Sequence, residues 1–204
     1  MTFRLRTAHR ISGAVLASFI ALHFANHATL FVGVKNHISF MEAVRPIYRN
    51  MLAESILLIA ILFQMTSGFT MIWRRRKQIS GIVGWLQAGS GIYILLFLVI
   101  HLAAIFQARI TDGTDTNIYF AVAGYYAGLA WFFVPYYFFA ICSFATHLGC
   151  GLYWLLGRDG RGNRSVLAIC VIGGVLFAAA LTVKMAGWIE PIDVPQHYLA
   201  KFVS

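Results

Sequence analysis

Two histidines occupy equivalent places in two similar apolar stretches of the chain. The first stretch, SGAVLASFIALH, ends at His23, and the second, SGIYILLFLVIH, ends at His101. Each histidine follows the glycine of its Ser-Gly pair by ten residues. Ionisable side chains in membrane-like segments are costly and usually functional. Two imidazoles at matched positions on two helices could ligate a haem iron from its opposite faces.

A second repeat relates Gln64 to His147. Gln64 lies four residues before Gly68, and His147 lies four residues before Gly151. A glycine one turn from a ligand lets a flat macrocycle approach the backbone. The pattern predicts a second haem site with His147 as one ligand, although glutamine is not a usual axial ligand. Met65 is adjacent to Gln64, but its side chain points about 100° away around the helix, so it is not expected to replace the missing ligand. The main alternatives are therefore a five-coordinate haem on His147 or no second haem.

The rival interpretation is that these histidines only hydrogen-bond between helices. His27, one turn after His23 on the same face, is interpreted as a supporting or structural residue. A zinc site is disfavoured because no third or fourth ligand clusters with His23 and His101. The three cysteines form no CxxC pair.

Membrane-spanning helices must position these residues. The chain has 204 residues, of which 60% are hydrophobic and 11% are charged, against about 25% charged in a soluble domain. We predict an all-α integral membrane protein forming a single domain over residues 1–204, with two tandem helix pairs in a four-helix bundle plus a fifth helix. The stretch before the fourth span is predicted to be re-entrant, interfacial or a helical extension, and the tail after Trp188 a short surface segment. The five predicted spans are 11–34, 55–73, 82–106, 130–156 and 166–188.

Lys and Arg predict the orientation. Ten lie in the N-terminal segment and the 74–80 and 158–164 loops, against five on the other side. The N-terminus is therefore predicted in the cytoplasm and the C-terminus outside, in a bacterial-type inner membrane. This topology accounts for the net charge of +9 without a nucleic-acid partner. It places His23 and His101 at similar depths, about 20 and 24 Å from the inner face.

Four short motifs carry a family resemblance. AHRISG (8–13) and LHFANH (22–27) resemble the first helix of the membrane cytochrome b subunit of succinate dehydrogenase and fumarate reductase. LQAGSG (86–91), followed by His101, and HLGCGLYW from His147 are similar to the third and fourth helices of the five-helix type. The resemblance runs from about Arg6 to Trp188.

The resemblance implies two b haems, one between helices one and three and the other between helices two and four. His23 and His101 match the first ligand pair, and His147 matches one ligand of the second. Gln64 stands where the family has a histidine.

The resemblance also implies quinone chemistry. Arg10 and Ser12 match the family's HRxSG stretch and could bind a quinone oxygen or a haem propionate. Alternatively, Arg10 is a positive-inside anchor and Ser12 a packing residue. Glu42 and Glu54 are candidate carboxylates for an outer quinol site.

The implied function is electron transfer between membrane quinone and a flavoprotein and iron–sulfur unit on the cytoplasmic face. The basic 74–77 loop could help to dock that unit. The chain shows no dinucleotide, P-loop or hydrolase motif, so it has no complete catalytic site of its own. The alternatives are a haem-poor or haemless anchor of the same fold, and a small membrane transporter. The parallel repeat argues against the inverted repeats of many transporters.

Overall fold

The computed structural model describes residues 2–157 and 161–202. Within these ranges the chain is almost entirely helical and contains no strand. Arg158, counted above with the basic loop residues, lies outside the described residues. The α-helices are α1 (Thr2–Thr29), α2 (Val34–Tyr48), α3 (Met51–Arg75), α4 (Gly81–Phe106), α5 (Ile118–Gly124), α6 (Ala130–Leu155), α7 (Arg161–Met185) and α8 (Gln196–Leu199).

Five helical segments in the described residues are long and apolar enough to cross a membrane. They are Arg4–Thr29, Met51–Gln78, Gly81–Thr111, Ile118–Leu155 and Asn163–Met185. The prediction of five apolar helices is therefore confirmed, with shifted ends.

The chain forms two compact units, Met1–Gln78 and Ile79–Ser204. The boundary falls between the second and third predicted spans. Each unit therefore contains one of the predicted helix pairs, α1 with α3 and α4 with α6, and the second unit also contains α7.

In the first unit the predicted end of span one, at residue 34, is wrong. Helix α1 ends at Thr29, and the chain turns through Gly33, whose φ of 147° is a conformation that favours glycine. The amphipathic helix α2 follows and buries His37 and Met41. Asn50 then begins α3 by accepting a 3.0 Å hydrogen bond from the Ala53 amide, as an N-cap residue does.

In the second unit, α6 packs against both α4 and α7. A Cβ added at Gly174 of α7 would lie 2.3 Å from the Ala145 Cβ of α6, so the two backbones approach closely at this point. The stretch before α6 is α5 and a π-helical turn, kinked where Gly128 has a φ of 82°. This stretch is therefore helical, and its position relative to the membrane stays a prediction.

The C-terminal tail is packed rather than a simple surface segment. Ile192, Val194 and Tyr198 are buried. The Tyr198 hydroxyl accepts a 2.8 Å hydrogen bond from Asn117, just before α5. The Tyr126 hydroxyl accepts one of 2.7 Å from the Ile192 amide. The prediction missed this because prolines and isolated apolar residues show no period that indicates burial.

Candidate functional site

The predicted ligand histidines all lie within long helices. His23 is in α1 of the first unit, whereas His101 and His147 are in α4 and α6 of the second. All three are half-buried.

His23 and His101 each stack on a phenylalanine, a contact that the sequence analysis missed. The His23 ring stacks on Phe19, with centroids 5.9 Å apart and planes inclined by 19°. The His101 ring stacks on Phe97 at 5.0 Å and 16°. Each phenylalanine precedes its histidine by four residues, which places both rings on one helix face. The signal was available, because Phe is the eighth residue of both opening stretches.

Tyrosines of the second unit hold Phe97 beneath His101. The Tyr136 hydroxyl donates a buried 3.2 Å hydrogen bond to the Phe97 carbonyl, and the two rings lie 4.8 Å apart. The Tyr93 hydroxyl in turn donates to the Tyr136 carbonyl at 3.1 Å. These contacts fasten α6 to the turn of α4 that precedes His101, so the direction of the imidazole is supported from both helices.

His23 has a second neighbour in His27. Their Nε2 atoms are 3.3 Å apart, and their ring centroids are 4.6 Å apart. One ring donates and the other accepts, as their tautomers require. The same-face relation predicted from the spacing is therefore present, and the supporting role assigned to His27 stays a prediction.

His37 of α2 lies beyond His27 and is buried, with 2% of its surface exposed. Its ring centroid is 5.4 Å from that of His27, and its Nε2 is 3.3 Å from Asn26 Nδ2. Burial lowers the pKa of His37 to about 4, with a smaller contribution from His23. A neutral ring fits this environment, because a buried imidazolium would lack a charged partner.

His147 is held through one ring nitrogen. Its Nδ1 lies 3.2 Å from the Gln87 carbonyl of α4 and 3.3 Å from Ser90 Oγ. Ser90 is buried and donates to the same carbonyl at 3.2 Å. The carbonyl can only accept, so Nδ1 carries the proton. Nε2 makes no hydrogen bond with any described residue and keeps its lone pair.

Gln64 is used in packing between α1 and α3. Its Nε2 donates to the His9 carbonyl at 2.7 Å and to Ser12 Oγ at 3.1 Å. A Cβ added at Gly13 would lie 2.8 Å from that nitrogen. Gly13 therefore makes room for the Gln64 amide, and the two helices share a polar seam in which Ser12 is an acceptor.

The two glycines predicted to admit a macrocycle differ. A Cβ at Gly68 would lie 3.3 Å from His9 Cε1, and His9 is fixed by a 2.7 Å hydrogen bond between its Nδ1 and Ser67 Oγ. A Cβ at Gly151 would meet nothing within 4 Å. The space beside Gly151, one turn from His147, is therefore open, whereas the space beside Gly68 is filled by His9.

Ser12 also borders an apolar groove between α1 and α3. The groove has a volume of about 300 Å³. The Ser12 hydroxyl donates to the Ala8 carbonyl at 3.1 Å, while Arg10 is exposed. The groove is lined by Ser12, Val15, Ile56, Ile59, Ala60 and Phe63.

Of the two candidate carboxylates for an outer quinol site, Glu42 lines a groove and Glu54 is not among its lining residues. Glu42 lines an open groove of about 390 Å³ with Arg45 and Arg49. Glu54 lies in the first turn of α3 and is half-buried. The structure does not bring both into that groove, so it favours neither assignment.

No group of three or more His, Cys, Asp or Glu side chains in residues 2–157 and 161–202 is placed to hold a metal ion. Cys142, Cys150 and Cys170 are free thiols. The candidate haem ligands His23, His101 and His147 are imidazoles on the helices α1, α4 and α6, the donor type that haem iron uses.

Comparison with known proteins leaves the family resemblance a hypothesis. The chain matches no protein-family model, no curated protein and no solved structure.

Proposed function

We propose that this chain is a haem b-containing membrane anchor that passes electrons between membrane quinone and a flavoprotein and iron–sulfur unit on the cytoplasmic face. The observation that carries the proposal is the repeated Phe-His stack. Two different helices present a half-buried imidazole in the same local setting, at the same distance from a Ser-Gly pair. One such histidine is readily explained by packing, whereas the repeat indicates a shared task.

The surface of the five apolar helices supports a membrane location. Large apolar side chains point outward along them, including Ile59 at 68% exposure, Ile82 at 78% and Leu176 at 65%. Such extensive apolar exposure is unfavourable in water and suits lipid. In the proposed topology, the first helix begins on the cytoplasmic side and the chain crosses five times.

His23 and His101 are the proposed axial ligands of one haem. Haem supplies a one-electron carrier when it is bound. The protein supplies the two imidazoles, and Phe19 and Phe97 hold them in direction through the stacks. The apolar spans around them exclude water and so help to set the reduction potential.

Quinone binding is assigned to the Ser12 groove. Its apolar walls suit a prenyl tail, and the Ser12 hydroxyl would donate to a ring oxygen by turning away from the Ala8 carbonyl. Arg10 lies two residues before Ser12 at the proposed inner surface and would bind a quinone oxygen or a haem propionate.

The docking surface for the partner unit is assigned to the basic residues 74–77, which form the last turn of α3 and the 3-10 turn after it rather than the predicted loop. Arg76 is ordered there, with its guanidinium 4.4 Å from the Trp73 ring centroid and a 2.6 Å hydrogen bond to the Trp73 carbonyl. The other three basic residues are exposed, so they can meet an acidic partner.

The test is a dithionite-reduced minus oxidised spectrum of the purified chain, with a pyridine haemochrome count. We expect His23→Ala and His101→Ala each to remove one haem. The matched control is His197→Ala in α8, outside the five spans, which should keep the wild-type haem content. A wild-type chain purified from haem-replete cells without a Soret band would overturn the proposal.

A haemless anchor of the same fold is the second candidate. The observation that favours it is the polar seam, where Gln64 and His9 fill the spaces beside Gly13 and Gly68. This seam gives α1 and α3 a packing role that needs no cofactor. The two candidates separate in haem content rather than in partner binding, because both would recruit the soluble unit, whereas only the haem-containing chain would show a Soret band.

A further inference from the structure

We infer that the groove where α2 ends and α3 begins binds the headgroup of a zwitterionic phospholipid, phosphatidylethanolamine. The inference goes beyond the proposed function and shares with it only the membrane location. All residues of the groove lie in the first unit.

The groove carries charges of both signs. It has a volume of about 390 Å³ and is lined by Glu42, Arg45, Pro46, Arg49 and Asn50. This volume falls within the range of small-molecule sites, about 300–1,000 Å³. A simple anion would be repelled by the carboxylate, whereas a headgroup with a phosphate and an ammonium matches both signs.

The two arginines suit the phosphate. A guanidinium presents five N–H donors in a planar fork that matches phosphate oxygens. Arg45 Nη2 lies 3.1 Å from Met41 Sδ, a contact that engages one nitrogen of the fork and orders the side chain. Arg45 and Arg49 are four residues apart and half-buried, so water and salt screen their charge less than that of fully exposed side chains.

Glu42 suits the ammonium. It lies three residues before Arg45, which places both side chains on one face of α2, and it is exposed. The ammonium of ethanolamine can donate charge-assisted hydrogen bonds to the carboxylate. The trimethylammonium of phosphatidylcholine has no N–H, and the headgroup of phosphatidylglycerol has no cation. Glu42 therefore predicts selectivity for the ethanolamine lipid.

Exposed apolar side chains next to the groove suit the acyl chains of a lipid. Met51 and Leu52 directly follow Asn50 and are 87% and 72% exposed, and they begin the second candidate span. Ile47 of α2 is 64% exposed. The groove thus lies at the end of a span, where headgroups meet hydrocarbon. A soluble phosphate compound would gain nothing from these side chains, so a lipid is the better match.

The experiment is a lipid titration of the delipidated full chain in detergent, measured by native mass spectrometry. The probes are phosphatidylethanolamine, phosphatidylcholine and phosphatidylglycerol with the same palmitoyl and oleoyl chains. Glycerophosphoethanolamine, which is the same headgroup without acyl chains, is the competitor. We expect phosphatidylethanolamine to bind about 2- to 5-fold tighter than the other two lipids, as one exposed ion pair allows. Glycerophosphoethanolamine should not displace it at equal concentration.

Variants separate the two halves of the headgroup site. Glu42→Gln keeps the size of an exposed side chain and removes its charge, so it should abolish the preference for phosphatidylethanolamine. Arg49→Gln should weaken the binding of all three lipids by about 10-fold. The matched control is Lys35→Gln, an exposed position of α2 outside the groove, which should leave all three affinities unchanged.

Equal affinities of the wild-type chain for the three lipids, or a preference that survives Glu42→Gln, would overturn the inference. Displacement by glycerophosphoethanolamine would overturn it too, because the ligand would then be a soluble phosphate compound. An equal loss of affinity in Lys35→Gln and Arg49→Gln would do the same, since it would indicate a general attraction to positive charge. A chain without haem would overturn the proposed function and leave this inference intact.

Discussion

The polar seam of the first unit makes a quantitative prediction about Gly13 and Gln64. Gly13→Ala places a Cβ 2.8 Å from Gln64 Nε2, whereas heavy atoms in a packed interior approach to about 3.5 Å. The amide must therefore retreat by about 0.7 Å or rotate away. A flexible side chain can do this at little steric cost, so the loss is that of its hydrogen bonds, 2.7 Å to the His9 carbonyl and 3.1 Å to Ser12.

The size of the effect follows from those two bonds. Hydrogen bonds between membrane helices contribute about 0.6 kcal/mol on average and about 1.7 at most. Gly13→Ala should therefore destabilise the first unit by about 1–3 kcal/mol. Gln64→Ala should cost about the same, because it removes the same bonds. Once Gln64 is Ala, Gly13→Ala should cost nothing further, since its Cβ then meets no amide.

The assay is a double-mutant cycle on the free energy of unfolding, measured by SDS titration in mixed micelles with far-UV circular dichroism. We expect a coupling energy close to the single-mutant cost. Gly89→Ala in α4 is the control, because its Cβ would meet nothing within 4 Å and its effect should be near zero. Additive effects of Gly13→Ala and Gln64→Ala would refute the seam as described.

Three further predictions concern other parts of the fold. Phe97→Ala removes the 5.0 Å stack on His101, which contributes about 0.5–1.5 kcal/mol. The variant should therefore transfer its haem to apomyoglobin about 2- to 10-fold faster than the wild type, whereas Phe97→Tyr should be near wild type. An unchanged transfer rate in Phe97→Ala would contradict the role assigned to the stack. The pKa of His37 is about 4 in the folded chain and about 6.5 in the unfolded chain. Between these two pH values the unfolded state binds more protons than the folded state, so the free energy of unfolding should fall as the pH falls through this window. His37→Gln should flatten the dependence measured by thermal unfolding, and an equally steep curve would rule His37 out as its source. Gly174→Ala places a Cβ 2.3 Å from the Ala145 Cβ and should lower the free energy of unfolding by about 1–3 kcal/mol. Gly173→Ala, whose Cβ would meet nothing within 4 Å, should be neutral. Equal melting temperatures for the two variants would contradict the close approach of α6 and α7.

Hydropathy predicted the five long helices because a spanning helix must satisfy its backbone internally and expose apolar side chains. Their ends were less predictable. The apolar run continues past Thr29 through Phe31 and Val32, but the chain turns there, and only the φ of Gly33 reveals it. Helix α2 was missed because it is amphipathic, with Pro46 near its C-terminal end, and so resembles a polar loop.

The candidate site was predictable where it depends on spacing along one helix. The four-residue offsets place His27 beside His23, and Phe19 and Phe97 beside their histidines. Contacts between helices were beyond the sequence. Nothing in the pattern indicates that Gln64 donates to the His9 carbonyl, or that Gln87 and Ser90 hold His147, because such contacts depend on the rotation of each helix about its axis.

The central claim is that His23 and His101 are the axial ligands of one haem. Its most direct test is near-infrared magnetic circular dichroism of the oxidised, purified chain, which reports the axial ligands. The account predicts the charge-transfer band of a bis-imidazole low-spin haem, lost in both His23→Ala and His101→Ala and retained in His197→Ala. A chain without haem, or a bis-imidazole band that persists when either His23 or His101 is replaced, would contradict it.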